Sequence, residues 1–376
     1  MKKSLMATTA LAALGAVAVA GPATAAEKIS IGVGGYMEQW FGYVDAKETG
    51  LAGPDRDGFD VISDGEIHFK GETTLDNGLT IGVNVQLEAQ VSGDTIDEQF
   101  AYVEGSFGRF IIGSENSASY LMHYNVPSHG VTIDSGDATV WIAGGDFVSA
   151  RTNGRGDDND SEKITYFTPR FAGFQLGVSY VPQMEQDLDS VSSGNAPNGA
   201  DGVRDDSFAV GLNFKRSFND FSVAASAGFQ DFGDDDALTT DAESYQFGLR
   251  LGYAGFMLAG TYGQEDRSGA SFLAPGMRAA IGAVSSQETV SEQETYSVGV
   301  SYASGPFGVS LNYIGADHDF KAPGIDFSQD TFELGAKYAL GPGVDVKASA
   351  LYLENELNNT KEAKGFAVVG GLDLSF

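Results

Sequence analysis

Four histidines, no cysteine, and acids that outnumber bases by 52 to 22 set the chemistry open to this chain of 376 residues. Without cysteine there is no thiol nucleophile, no disulfide framework and no zinc ribbon. His68, His123, His129 and His318 form no HExxH pair, and the step from His123 to His129 is not a common metal spacing. No G-x-S-x-G elbow or phosphate loop is present, and Gly32-Val33-Gly34-Gly35 lacks the following helix that a dinucleotide site needs. What the chain does carry is opposed charge. Glu66, His68, Lys70 and Glu72 recur at every second position. Arg109, Arg250, Lys337 and Lys347 are single bases set in alternating segments. Asp134, Asp137 and Asp146 share one long stretch, and Asp157, Asp158 and Asp160 follow it. The acid-rich runs GRGDDNDSE (154–162) and DFGDDD (231–236) could hold calcium through carboxylate oxygens, with Asp157, Asp158 and Asp160 as weak candidates. Neither run has EF-hand spacing, and solvated acidic loops are the plainer reading, so no cofactor is expected.

Such groups act only on one another or on a passing ion, so their use depends on the elements that place them. Those elements alternate. In LTIGVNVQLEAQV (79–91), Leu79, Ile81, Val83, Val85, Leu87, Ala89 and Val91 share one face, and polar or small residues take the other. A period of two is that of a β-strand. It returns in FQLGVSYV (174–181), SYQFGLRLGY (244–253), TYSVGVSY (295–302) and GFAVVGGLDLSF (365–376). Fifty glycines point the same way, to an all-β chain. A net charge of −30 argues against nucleic acid as a partner, because binding there needs a positive surface.

Two architectures fit alternating strands. A soluble sandwich turns its polar face to bulk water, whereas a membrane barrel turns its apolar face to lipid and its polar face to a wet lumen. Three features favour the barrel. Tyr180, Tyr253, Tyr262, Tyr302, Tyr313, Tyr338 and Tyr352 sit near the ends of apolar faces, as an interfacial girdle does. Tight turns, such as Asp76-Asn77-Gly78 and Ala254-Gly255, alternate with long polar connections at about 183–205, 232–240, 265–292 and 316–328. The last strand ends on Phe376. The N-terminus supplies an address. Lys2 and Lys3 precede the apolar stretch LAALGAVAVA (11–20), and Ala23-Thr24-Ala25 is a small-residue cleavage site. Residues 1–25 read as a cleaved export signal, leaving 26–376 as a single barrel domain. No later stretch is apolar enough for a transmembrane helix.

Together these features resemble the general porins of the Gram-negative outer membrane, over the whole mature chain. The resemblance implies a 16-stranded antiparallel transmembrane β-barrel that forms homotrimers and conducts small hydrophilic solutes and ions. It makes Phe376 part of the signal read by the barrel-assembly machinery. It also implies that the third long loop folds inward and narrows the pore, with a basic cluster on the wall across from it. Alternation independently places sixteen strands, at 28–44, 61–75, 79–91, 97–105, 109–114, 162–170, 174–182, 206–217, 221–231, 242–253, 256–264, 293–303, 307–315, 329–340, 343–355 and 364–376. That many strands enclose an aqueous channel.

The third long connection is 115–160. It carries Tyr120, Leu121, Met122, Tyr124, Val140, Trp141, Ile142 and Phe147, which need a packing partner that an external flap would not supply. The expected constriction acids are Asp134, Asp137 and Asp146, with Glu66 on the wall. The expected wall bases are Lys70, Arg109, Arg250, Lys337 and Lys347, each equally open to a plain salt-bridge role inside the barrel. An acidic excess predicts mild cation preference. The nearest rival is a sugar-selective channel, for which Tyr36 and Trp40 on strand one are a weak hint. A barrel enzyme would need a nucleophile cluster, and a secreted adhesin would leave the membrane on extraction. Lipid and lipopolysaccharide are the expected surroundings, with calcium or magnesium bridging acidic loops to lipopolysaccharide as a lesser reading.

Overall fold

The computed structural model describes residues 28–49, 55–89, 96–133, 137–143, 160–184, 204–233, 242–267, 290–320, 326–358 and 361–376. Residues 1–25, read above as an export signal, therefore lie outside the described residues. The strands are β1 (Ser30–Thr49), β2 (Arg56–Thr74), β3 (Thr80–Glu88), β4 (Ile96–Gly105), β5 (Gly108–Ser114), β6 (Glu162–Phe167), β7 (Phe174–Gln183) and β8 (Asp205–Phe218). They continue as β9 (Phe221–Asp231), β10 (Ala242–Tyr253), β11 (Phe256–Arg267), β12 (Val290–Ser304), β13 (Phe307–Phe320), β14 (Asp326–Gly341), β15 (Val344–Leu357) and β16 (Lys361–Ser375). Each pairs antiparallel with its sequence neighbours, and β1 pairs with β16 to close a barrel of sixteen strands. Two short helices, α1 (Ala118–Leu121) and α2 (Asp137–Ala143), lie in the connection between β5 and β6.

Alternation decides which way each side chain points. Along β10, Tyr245, Phe247, Leu249 and Tyr253 are exposed on the outer face, whereas Ser244, Gln246, Gly248 and Gly252 are buried inside. The tight turns use the left-handed backbone that hairpin twist requires. Ala254 and Gly255 have φ of 48° and 88°, and Asn219 has φ of 53°. The seam is closed by the chain end: the Gly35 amide donates to the Phe376 carbonyl at 2.9 Å, and the Phe376 amide returns a bond at 3.1 Å.

The strands run further toward the long connections than hydropathy indicates. β13 continues to Phe320 and β14 begins at Asp326, through much of the span expected to be loop at 316–328. The reason is that the barrel rises past the apolar band, and there the outward positions of the alternation carry acids. Asp317 and Asp319 face out, and Ala316 and His318 face in. Outward tyrosines mark the boundary by donating to carboxylates. Tyr43 bonds Asp57 at 2.5 Å, Tyr180 bonds Asp206 at 2.5 Å, Tyr245 bonds Glu243 at 2.6 Å and Tyr313 bonds Asp330 at 2.5 Å. Tyr262 and Tyr352 do the same with Glu294 and Glu354.

Leu249, near the middle of β10, tests the outward assignment. Leu249→Arg should destabilise the barrel by about 2–4 kcal/mol, the cost of a cation on a lipid face at midplane. Urea titration in lipid vesicles would show it as a lowered unfolding midpoint.

Candidate functional site: the loop-lined lumen

The described part of the loop lies inside the barrel, because its partners are inward-facing groups on the wall. It follows the wall from β6 round to β1. The Ala118 amide donates to Ser179 on β7 at 2.8 Å, and the Tyr124 amide to Ser226 on β9 at 3.0 Å. The His129 amide donates to Ser310 on β13 at 2.9 Å, and the Val131 amide to Ser349 on β15 at 2.7 Å. In the other direction, Asn213 reaches the Met122 carbonyl at 3.3 Å and Asn312 the Pro127 carbonyl at 3.1 Å. A loop buried against a wall must pair its peptide groups, and the hydroxyls and amides of the wall supply the partners.

Glycine makes the approach close enough. A Cβ on Gly211 would stand 2.4 Å from the Ala118 carbonyl oxygen, and one on Gly248 would stand 2.4 Å from that of Tyr124. Apolar contacts complete the seat. Trp141 and Ile142 of α2, with Val126, Val131 and Ile133, are buried against Val44, Ala46, Ile314, Leu351, Leu353 and Val369. Trp40 is only 5% exposed in this cluster, and its indole donates to Glu38 at 2.9 Å. It is thus packed beneath the loop and offers no face to a passing sugar; Tyr36 is tied to Glu66 at 2.9 Å.

The bases divide by partner. Arg250 faces inward and its Nε donates to the Asn125 carbonyl at 2.5 Å, with its guanidinium 5.5 Å from the Tyr124 ring. It therefore holds the loop instead of standing across the channel from it. Lys347 lies 3.0 Å from Glu38 and 2.6 Å from Asp373, and Lys337 lies 2.8 Å from Asp345. Arg109 opens β5 at the short-turn end, over the Tyr102 ring at 4.0 Å and 3.9 Å from Glu104. Lys70 is exposed on the inner face of β2, in register with Gly32 and Asn84. Lys163, which alternation places inward but which attracted no attention in the sequence, is buried and donates to the carbonyls of Glu115 and Ser161. It thereby clasps both roots of the loop.

Of the expected constriction acids, Asp134 and Asp146 lie outside the described residues, as do Asp157 and Asp158. Asp137 opens α2, and its side chain is not among those described. Asp160 is half-buried at the loop's end, where its carbonyl accepts from Ser114. Glu66 faces the lumen and accepts from Tyr36 at 2.9 Å and His68 at 2.6 Å. It has company that the sequence reading missed. Carboxylate oxygens of Glu66, Glu88 and Asp97 lie within 4.8 Å of one another, and Asp64 and Glu98 share this stretch of wall. β2 to β4 carry this group; α1 packs on β6 to β9, and α2 on β15, β16 and β1, with Arg56 of β2 donating to the Val140 carbonyl of α2 at 3.4 Å.

Two predictions follow from the seat. Gly248→Val must push the loop off the wall and into the channel, so single-channel conductance should fall while the barrel still folds. The second concerns pH. Burial, and then the Arg250 charge, push the His123 imidazole from 6.5 down to about 4. Burial, and then Lys337 and Lys347, also lower His129. A lowered histidine favours the folded state fully above its ordinary pKa and loses that contribution as pH falls toward the folded value. Loop seating should therefore weaken between pH 6.5 and about 4, read as growing open-channel current fluctuations.

Solved structures share this architecture. An anion-selective porin from Comamonas acidovorans is 18% identical, with a TM-score of 0.59 over 93% of this chain and 100% of that one. Salmonella typhi OmpF, in a complex with daunomycin, is 16% identical, with a TM-score of 0.58 over 93% and 98%. The trimer form of Vibrio cholerae OmpT is 14% identical, with a TM-score of 0.56 over 93% and 100%. No curated protein matches the chain. The family model for Gram-negative porins matches residues 7–358, nearly the whole chain, and the chain belongs to that family.

Proposed function

We propose that the protein is a water-filled channel for passive diffusion of small hydrophilic solutes and ions across the outer membrane, with a preference for cations. Membership of the porin family supports a channel in that membrane and not an enzyme. The observation that carries the cation preference is the wall of β2 to β4. Glu66, Glu88 and Asp97 converge there, with Lys70 as the nearby exposed base and His68 already paired with Glu66. Carboxylates clustered in a narrow aqueous passage concentrate cations and repel anions. The Comamonas neighbour is anion-selective, so the shared fold leaves the sign of selectivity to the residues on the wall.

The same reading extends to the surroundings. A homotrimer is supported by the outer face of β1 and β2, where Ser63 donates to Gln39 at 2.7 Å. A polar pair at that height suits a protein contact better than lipid. The outward carboxylates that the tyrosines bond would then stand at headgroup level, where divalent cations would bridge them to lipopolysaccharide phosphates. Phe376, exposed at the seam, would be the residue that the barrel-assembly machinery recognises. Export through a cleaved signal at 1–25 belongs to this reading.

Reversal potential in a planar bilayer under a KCl gradient tests the selectivity. The wild type should prefer potassium, and the triple variant E66Q/E88Q/D97N should lose much of that preference at similar conductance. An anion-directed potential from the wild type would overturn the cation preference and leave the channel standing. Absence of current steps would overturn the channel.

A further inference from the structure

Glu333 on β14 is fully buried, 0% exposed, and points inward. Its four hydrogen-bond donors are all neutral. Ser349 donates at 3.0 Å to one oxygen, and Ser128 shares its hydroxyl proton between that oxygen at 3.3 Å and the Val131 carbonyl at 3.1 Å; Asn312 donates at 2.9 Å and Ser310 at 3.3 Å to the other. Three of these donors belong to the wall, and each holds one peptide group of the loop. Ser310 accepts the His129 amide, Ser349 accepts the Val131 amide, and Asn312 donates to the Pro127 carbonyl.

The chemistry of the carboxylate explains why the three work together. A serine hydroxyl has one proton and two lone pairs, and an ionised carboxylate only accepts. Glu333 therefore draws the hydroxyl protons of Ser310 and Ser349 toward itself and leaves their lone pairs turned to the loop amides. It fixes the Asn312 amide in the orientation that donates to Pro127. Close packing reinforces the arrangement. A Cβ on Gly335 would stand 2.6 Å from the Gly130 amide nitrogen, and one on Gly130 would overlap the Ser349 hydroxyl.

We propose that Glu333 is a positioning residue for permeation: one carboxylate presets Ser310, Asn312 and Ser349 to hold segment 127–131 and so fixes the inner edge of the channel. The proposal rests on the channel reading above. Glu333→Gln keeps the shape but turns half of the head group into a donor, which removes the acceptor from at least one of the three wall groups. The variant should still migrate as a heat-modifiable barrel. Its channels should spend roughly tenfold more time in altered-current states than wild type, as expected from losing a buried hydrogen-bond partner. A merely structural role would lower heat resistance and leave the current alone. Should E333Q fail to fold, Ser349→Ala removes one arm only and should raise the fluctuations in the same sense, by less. Wild-type current mean and variance in E333Q, or in S349A where E333Q does not fold, would overturn the proposal. A silent wild type would instead sink the channel reading and this proposal with it.

Discussion

The bilayer interior offers no water, so every peptide group that crosses it must bond to another peptide group. A closed antiparallel ring meets that demand without an edge, and everything else in the molecule is arranged around it. The seam between β1 and β16 is where the demand is hardest to meet, because the partners are far apart in sequence. There the terminal Phe376 exchanges two backbone bonds with Gly35. A Cβ on Gly35 would lie 2.1 Å from the Glu66 carbonyl oxygen. With its positive φ of 152°, Gly35 lets the first strand pass between the second and the last.

Closing the ring creates a second demand. A barrel this wide has an interior too large for its own side chains to fill. Part of the chain enters it, and the peptide groups of that segment then need partners of their own. The wall provides them with serine, asparagine and glycine at inward positions: Ser179, Gly211, Ser226, Gly248, Ser310, Asn312 and Ser349 form a track that follows the loop. These small residues do not leave an empty lumen along this part of the wall. They bring a second layer of backbone within hydrogen-bonding distance.

The strands were legible because period two survives any tertiary context: all sixteen appear where alternation places them. Their upper ends were not, since β13 and β14 run through Asp317, Asp319 and Asp326, outward acids that read as loop. Trp141, Ile142 and Met122 stand out in the sequence as apolar residues with no strand to belong to, and each is buried. The use of the bases was not legible. Alternation correctly turns Arg250 inward, but its partner is the carbonyl of Asn125, a backbone atom 125 residues away that has no signature of its own. Lys163 was overlooked for the same reason. Lys347 and Glu38 are 309 residues apart and meet only because the ring closes.

That pairing bears on how a charge count becomes a selectivity. The chain's net charge of −30 is a sum over loops, outer rim and lumen alike, and most of it is too far from a permeating ion to act within a Debye length. What an ion meets is the local residue of that sum after internal pairing. Lys347 and Lys337 are paired with Glu38, Asp373 and Asp345, whereas Arg250 and Lys163 are held on loop carbonyls and keep their charge. Glu66, Glu88 and Asp97 converge on β2 to β4, beside His68, which lies 2.6 Å from Glu66. An anion-selective porin can share the fold, because exchanging inward side chains at alternating positions leaves the outer face and the strand pairing untouched. The ring is fixed by the membrane, whereas the sign of the field inside it is free to vary.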